Sequence, residues 1–152
     1  MLILVASVVA IAAIQERWRL GVNVTDSLPG QVFLIDAGRR DGPFVRGEVV
    51  AFRFDGSRWG YPADAVWAKR VAGLPGERVA VVGGVVFVAG ARVAVLDPGV
   101  LARGGVKPLP AGAVPPGMLF VLGASADSFD SRYAEFGFLP EEDVLGVLRT
   151  LW

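Results

Sequence analysis

The sequence predicts a mostly β fold, a folded sheet or barrel, standing behind an N-terminal membrane-anchor helix. Three observations carry this expectation. The chain opens on an unbroken apolar run, Met1 to Ile14. After Leu20 no apolar repeat holds a helical period. The remainder is built of valine-rich runs of about five residues, the usual length and composition of strands, divided by many of the chain's 20 glycines and 10 prolines.

As a helix, Met1–Ile14 would reach only about 21 Å, against roughly 30 Å of hydrocarbon. Running the helix on to Leu20, with Glu16, Arg17 and Arg19 snorkelling and Trp18 at the interface, brings it to about 30 Å. A cleaved signal peptide and a buried core helix are the competing readings. The first lacks a basic segment ahead of the apolar run. The anchor reading makes residues 1–20 the transmembrane segment and residues 21–152 the β-rich domain. Arg17 and Arg19 come after the span and nothing basic precedes it, so the positive-inside rule taken alone leaves the domain in the cytoplasm.

The strands then come in order. Val32–Ile35 closes at Asp36-Ala37-Gly38, and Glu48–Phe54 ends at Asp55-Gly56. Val66–Val71 leads into Gly73-Leu74-Pro75-Gly76. Arg78–Val82 and Val85–Ala89 flank Gly83-Gly84, the clearest hairpin signal in the chain. Arg92–Leu96 precedes a Pro/Gly-rich excursion over the surface, Asp97–Gly117. Met118–Leu122 and Val144–Leu148 complete the set.

Composition excludes several chemistries. Lys+Arg and Asp+Glu both number 15, which removes the electrostatic case for a nucleic-acid partner. The absence of cysteine rules out thiolate chemistry and disulfides. The absence of histidine rules out Ser-His-Asp and Cys-His hydrolases. A metal site would have to be carboxylate alone, and no metal or other cofactor is expected. A hydrolase built from this chain needs Lys, Asp or Glu as its base.

Three blocks offer such chemistry. In Val24-Thr25-Asp26-Ser27-Leu28-Pro29-Gly30, Pro29 stiffens the turn that presents the Ser27 hydroxyl; an ordinary surface turn has the same composition. Lys69 lies inside the apolar strand Val66–Val71, and alternation sets it on the face opposite Ala68 and Arg70. Were Lys69 the inward one, desolvation would lower its pKa and leave an amine able to take a proton from serine; a solvated lysine on an edge strand is the plainer alternative. The third block is Asp127-Ser128-Phe129-Asp130-Ser131-Arg132-Tyr133, whose two aromatics suggest a loop packed on the core. Asp26 and Asp127 are read as solvated.

Taken in order, Thr25-x-Ser27-Leu28-Pro29, Arg46-Gly47-Glu48-Val49-Val50-Ala51-Phe52, Lys69-Arg70-Val71-x-Gly73-Leu74-Pro75-Gly76-Glu77 and Ser128-Phe129-Asp130-Ser131-Arg132-Tyr133 resemble the type I signal peptidases. Within them the chain looks closest to the branch that processes conjugal-transfer pilins. The resemblance implies a signal-peptidase-like fold and a Ser–Lys dyad, with Ser27 as nucleophile and Lys69 as general base. It also implies an oxyanion hole from the Ser27 backbone N–H and the Thr25 hydroxyl, a lysine-orienting Ser128, and a loop braced by Asp130 and Arg132. The implied substrate is an exported preprotein or pilin precursor, bound by strand addition. The implied location is the inner membrane, single-pass, with the catalytic domain on the extracytoplasmic side and the lipid bilayer as partner. Trp59, Tyr61 and Trp67 with Phe52 and Phe54 would rest on that bilayer, or else belong to the core. The chain departs from the family pattern at Gly123-Ala124-Ser125, where many members have Gly-Asp-Asn. It departs again in two extra residues within Ala134-Glu135-Phe136, and at Leu28, where general secretory enzymes usually have Met. An autoproteolytic repressor would need a basic recognition helix that the apolar N-terminus lacks. A catalytically inactive, membrane-tethered assembly factor is the remaining alternative.

Overall fold

The computed structural model describes residues 17–22, 32–63 and 65–150. Among the described residues, eleven strands form two antiparallel sheets: β1 (Trp18–Val22), β2 (Val32–Asp36), β3 (Val49–Arg53), β4 (Val66–Gly73), β5 (Arg78–Val82), β6 (Val85–Val88), β7 (Ala91–Val95), β8 (Gly112–Ala113), β9 (Met118–Leu122), β10 (Leu139–Pro140) and β11 (Val144–Thr150). The larger sheet runs β1-β2-β11-β3-β4-β9-β10 and the smaller β7-β6-β5-β8. A short helix, α1 (Pro98–Arg103), is capped by the Asp97 carboxylate, which accepts from the Gly99 and Val100 N–H groups.

Two apolar cores result. One gathers Phe44, Val50, Phe52, Val71, Leu119 and Val121; the other gathers Val79, Val86, Val88, Val114, Phe120 and Tyr133. Strand β9 serves both, because alternation sends Leu119 and Val121 to the first and Phe120 and Leu122 to the second. Each fully buried apolar side chain of this kind contributes about 1.5–3 kcal/mol over its exposed state.

The expected strand runs all occur, most within a residue or two of their expected ends. Two expectations change. The sequence carries the apolar N-terminal helix on to Leu20, but Trp18–Val22 is strand β1, paired residue for residue with β2 from Trp18↔Asp36 to Val22↔Val32. Five backbone pairings override the helical preference of Arg19 and Leu20, as tertiary context commonly does, and the Arg17–Asp36 ion pair holds the entry to the strand. The β fold therefore begins ahead of the boundary expected at residue 21. Met1–Ile14, the heart of the expected anchor, lies outside the described residues, among which no helix is long and apolar enough to cross a membrane. The excursion Asp97–Gly117 is the second change. It holds α1 and β8 and sinks Leu109 and Val114 into the second core.

Candidate active site

Strand β4 decides the orientation of the lysine. Its register pairs Lys69 with Val50 and Trp67 with Phe52, both on the face of the first core. Lys69 is 2% exposed, whereas Arg70 points to solvent. An amine this deeply buried is uncommon and needs a partner.

That partner comes from the segment after β9. The Lys69 Nζ donates to the Ser128 Oγ at 2.5 Å. Ser128 is carried by a loop that folds around the buried pair Asp130 and Arg132, 0% and 3% exposed. The guanidinium grips the carboxylate with two bonds of 2.8 Å, Nε to Oδ1 and Nη2 to Oδ2. Its remaining donors reach the carbonyls of Ser125, Ala126 and Ser128, and that of Val95 at the end of β7. The Asp130 Oδ2 also accepts from the Gly123 N–H at 2.8 Å. Buried polar groups are stable mainly when satisfied, and the Asp130–Arg132 pair meets that condition, whereas the buried Tyr133 hydroxyl in the same loop has no hydrogen-bond partner among the described residues.

Gly123 is the residue that lets lysine and serine meet. A Cβ there would collide with the Ser128 Oγ and stand 2.6 Å from the Ser128 Cβ and 2.9 Å from the Lys69 Nζ. Gly123→Ala is expected to break the Lys69–Ser128 hydrogen bond and to raise the lysine pKa as water enters. Lysine-selective NMR checks this, and an unaltered Lys69 titration contradicts the steric account.

Burial lowers the Lys69 pKa from the ordinary 10.5 to about 8. Among nearby charges Asp130 pulls it up, Arg132 pushes it down and the exposed Asp127 pulls it up. Because Asp130 and Arg132 form one ion pair, their fields at the amine oppose each other and desolvation dominates. A hydrogen bond from Ser125 holds Asp127 below the ordinary carboxylate range. An amine poised near pH 8 is partly neutral under mild conditions and can accept a proton. Among the described residues, no cluster of carboxylates could hold a metal ion.

Of the residues singled out in the sequence, Lys69, Ser128, Asp130 and Arg132 thus come together. Ser27 and Thr25 lie outside the described residues, in the segment that links β1 to β2. Two other sequence blocks also meet. The Arg46 guanidinium bonds the Ala72 carbonyl and pairs with Glu77 at 2.6 Å. Glu77 in turn accepts from the Leu74 N–H at 2.7 Å, so the turn closing the lysine strand is held from both sides. The extra residues after Tyr133 pin the excursion against the loop, through Lys107 N–H to Glu135 Oε2 at 2.8 Å and Ala134 N–H to Lys107 O at 2.9 Å. Sequence reasoning missed a role for Gly123, because its requirement arises only where two distant segments touch. The aromatics divide: Phe52 is core, Phe54, Trp59 and Trp67 are half-buried, and Tyr61 is 43% exposed.

Residues 1–152 match the family model described as signal peptidase, peptidase S26. The chain is 32% identical over 149 residues to the conjugal transfer protein TraF of Agrobacterium fabrum, covering 86% of this chain and 81% of that protein. Among solved structures it is similar to a signal peptidase I from Enterococcus faecalis, with 29% identity and a TM-score of 0.45 over 71% of this chain and 98% of the other.

Proposed function

This chain belongs to the S26 family of signal peptidases, and from that membership we propose that it is a membrane-anchored serine endopeptidase removing leader peptides from exported proteins. The observation that supports the reading most directly is the buried Lys69 amine held by Ser128. In the proposed mechanism neutral Lys69 takes the proton of the Ser27 hydroxyl as that oxygen attacks the scissile carbonyl. The Ser27 N–H and the Thr25 hydroxyl hold the oxyanion, each such donor lowering the barrier by about 3–4 kcal/mol. Lys69, now charged, returns its proton to the leaving amine. A water that gives its proton to Lys69 then attacks the acyl-enzyme, releasing the acyl group as a carboxylic acid while Lys69 passes the proton back to the Ser27 oxygen. Ser128 keeps the amine aimed, and the Asp130–Arg132 pair keeps Ser128 in place.

The relative's designation as a conjugal transfer protein supports a pilin precursor as the substrate. The reading tethers the β domain to the inner membrane through the apolar N-terminal run that opens at Met1, and sets that domain on the extracytoplasmic side. The part-exposed Trp59 and Tyr61 face the bilayer interface, where aromatic side chains are favoured.

The test is cleavage of a purified pilin precursor by the full chain in detergent, monitored by mass spectrometry across pH. The base must be neutral to act, so the rate is expected to rise about tenfold per pH unit below the Lys69 pKa of about 8 and to level off above it. A profile flat from about pH 6 to 10 contradicts a lysine base with this pKa.

A further inference from the structure

Trp67 stands two residues before Lys69 on the same face of β4, and the Lys69 Nζ lies 5.5 Å from its ring centroid. The ring is held by two others. The Phe54 ring meets it edge-on at 5.3 Å and 65°, and the Tyr61 ring does so at 4.8 Å and 68°. Gly56 makes that clamp possible, since a Cβ there would come 2.9 Å from Trp67 Cζ2 and 2.8 Å from the Tyr61 Cβ.

We propose that Trp67 is a positioning residue that sets the proton affinity of Lys69, its ring giving the ammonium form a favourable contact inside a site that excludes water. The proposal rests on the reading of Lys69 as the base. Among the described residues, the other groups facing the amine do not supply this balance. From β3 comes Val50, which is apolar. From the loop come the Ser128 hydroxyl and the charges of Asp130, Arg132 and Asp127. Asp130 is committed to Arg132 and to the Gly123 N–H, and Asp127 is exposed to solvent. A carboxylate in place of the ring would hold the lysine charged throughout the useful pH range. An aliphatic side chain would leave desolvation unopposed on that side. An aromatic face lies between these extremes, favouring a cation while admitting no water.

The chain contains two lysines, Lys69 and Lys107, so a titration of lysine labelled with carbon-13 at Cε reads Lys69 directly and carries its own reference. In the full chain in detergent, Lys69 is expected to titrate well below Lys107. Trp67→Leu keeps apolar bulk and removes the ring, and is expected to move the Lys69 midpoint further down by about half to one pH unit. Trp67→Phe, the milder variant should leucine impair folding, is expected to move it by less and in the same direction. The acid limb of the cleavage profile is expected to shift by the same amount. An unmoved or raised midpoint in Trp67→Leu, or in Trp67→Phe where only that variant folds, overturns the role of Trp67 and leaves the peptidase reading intact. A wild-type Lys69 that titrates together with Lys107 overturns the buried base itself, and this proposal with it.

Discussion

Lys69→Met is expected to lose cleavage of the pilin precursor by about 10²–10⁴-fold, the usual effect of removing a general base, while the fold remains at least as stable as the wild type. Methionine fills nearly the same volume without an amine to desolvate, and that gain offsets the roughly 1–3 kcal/mol of leaving the buried Ser128 hydroxyl without its partner. Linkage gives a second signature. The Lys69 pKa is about 8 in the fold against an ordinary 10.5, so between these values the unfolded chain binds more protons than the folded one. Wild-type stability should therefore rise with pH across that window and lose the gain as pH falls back through about 8. Lys69→Met is expected to abolish this pH dependence. Ser27→Ala is expected to lose cleavage and keep it. Urea unfolding at pH 7 and pH 10 alongside the cleavage assay separates the two, and an active Lys69→Met chain removes the proposed base.

The Asp130–Arg132 pair should produce the largest loss of stability. Arg132→Met leaves a carboxylate that is 0% exposed without its counter-charge and strips donors from the carbonyls of Val95, Ser125, Ala126 and Ser128. Breaking a buried pair by removing one partner typically costs about 3–5 kcal/mol, equivalent to a fall in melting temperature on the order of 10 °C for a chain of this size. Asp130→Asn should cost less, because an amide oxygen can still accept from the Gly123 N–H and from Arg132. Denaturant unfolding measures both. A cost below about 1 kcal/mol for Arg132→Met would show that the pair behaves as a surface ion pair and does not brace the loop.

Most of the sheet was legible because its strands are short valine-rich runs closed by Gly and Pro, a local signal that tertiary context did not override. Strand β1 was not legible. Trp18-Arg19-Leu20 follows the apolar run after Gln15-Glu16-Arg17 and reads as its helical tail, and only pairing with β2 makes it a strand. The two-residue strands β8 and β10 exist by virtue of their partners and leave no periodicity to find. At the site, alternation set Lys69 opposite Ala68 and Arg70 but left open which face was inward, and only the pairing of β4 with β3 over the first core decides it. The meeting of Ser128 with Lys69 was implied by family resemblance and by nothing local. Gly123 and Trp67 gained their meaning from through-space contacts, the one by lacking a side chain where two others converge, the other by lying 5.5 Å from an amine.

Strand β9, with no outward side, has a consequence for how the molecule comes apart. Peeling away either sheet would strip one flank of Met118–Leu122, so neither half can open while the other stays closed. The two cores should melt as a single cooperative unit. The amides of β9 should then be the slowest in the chain to exchange with solvent, protected up to the free energy of global unfolding.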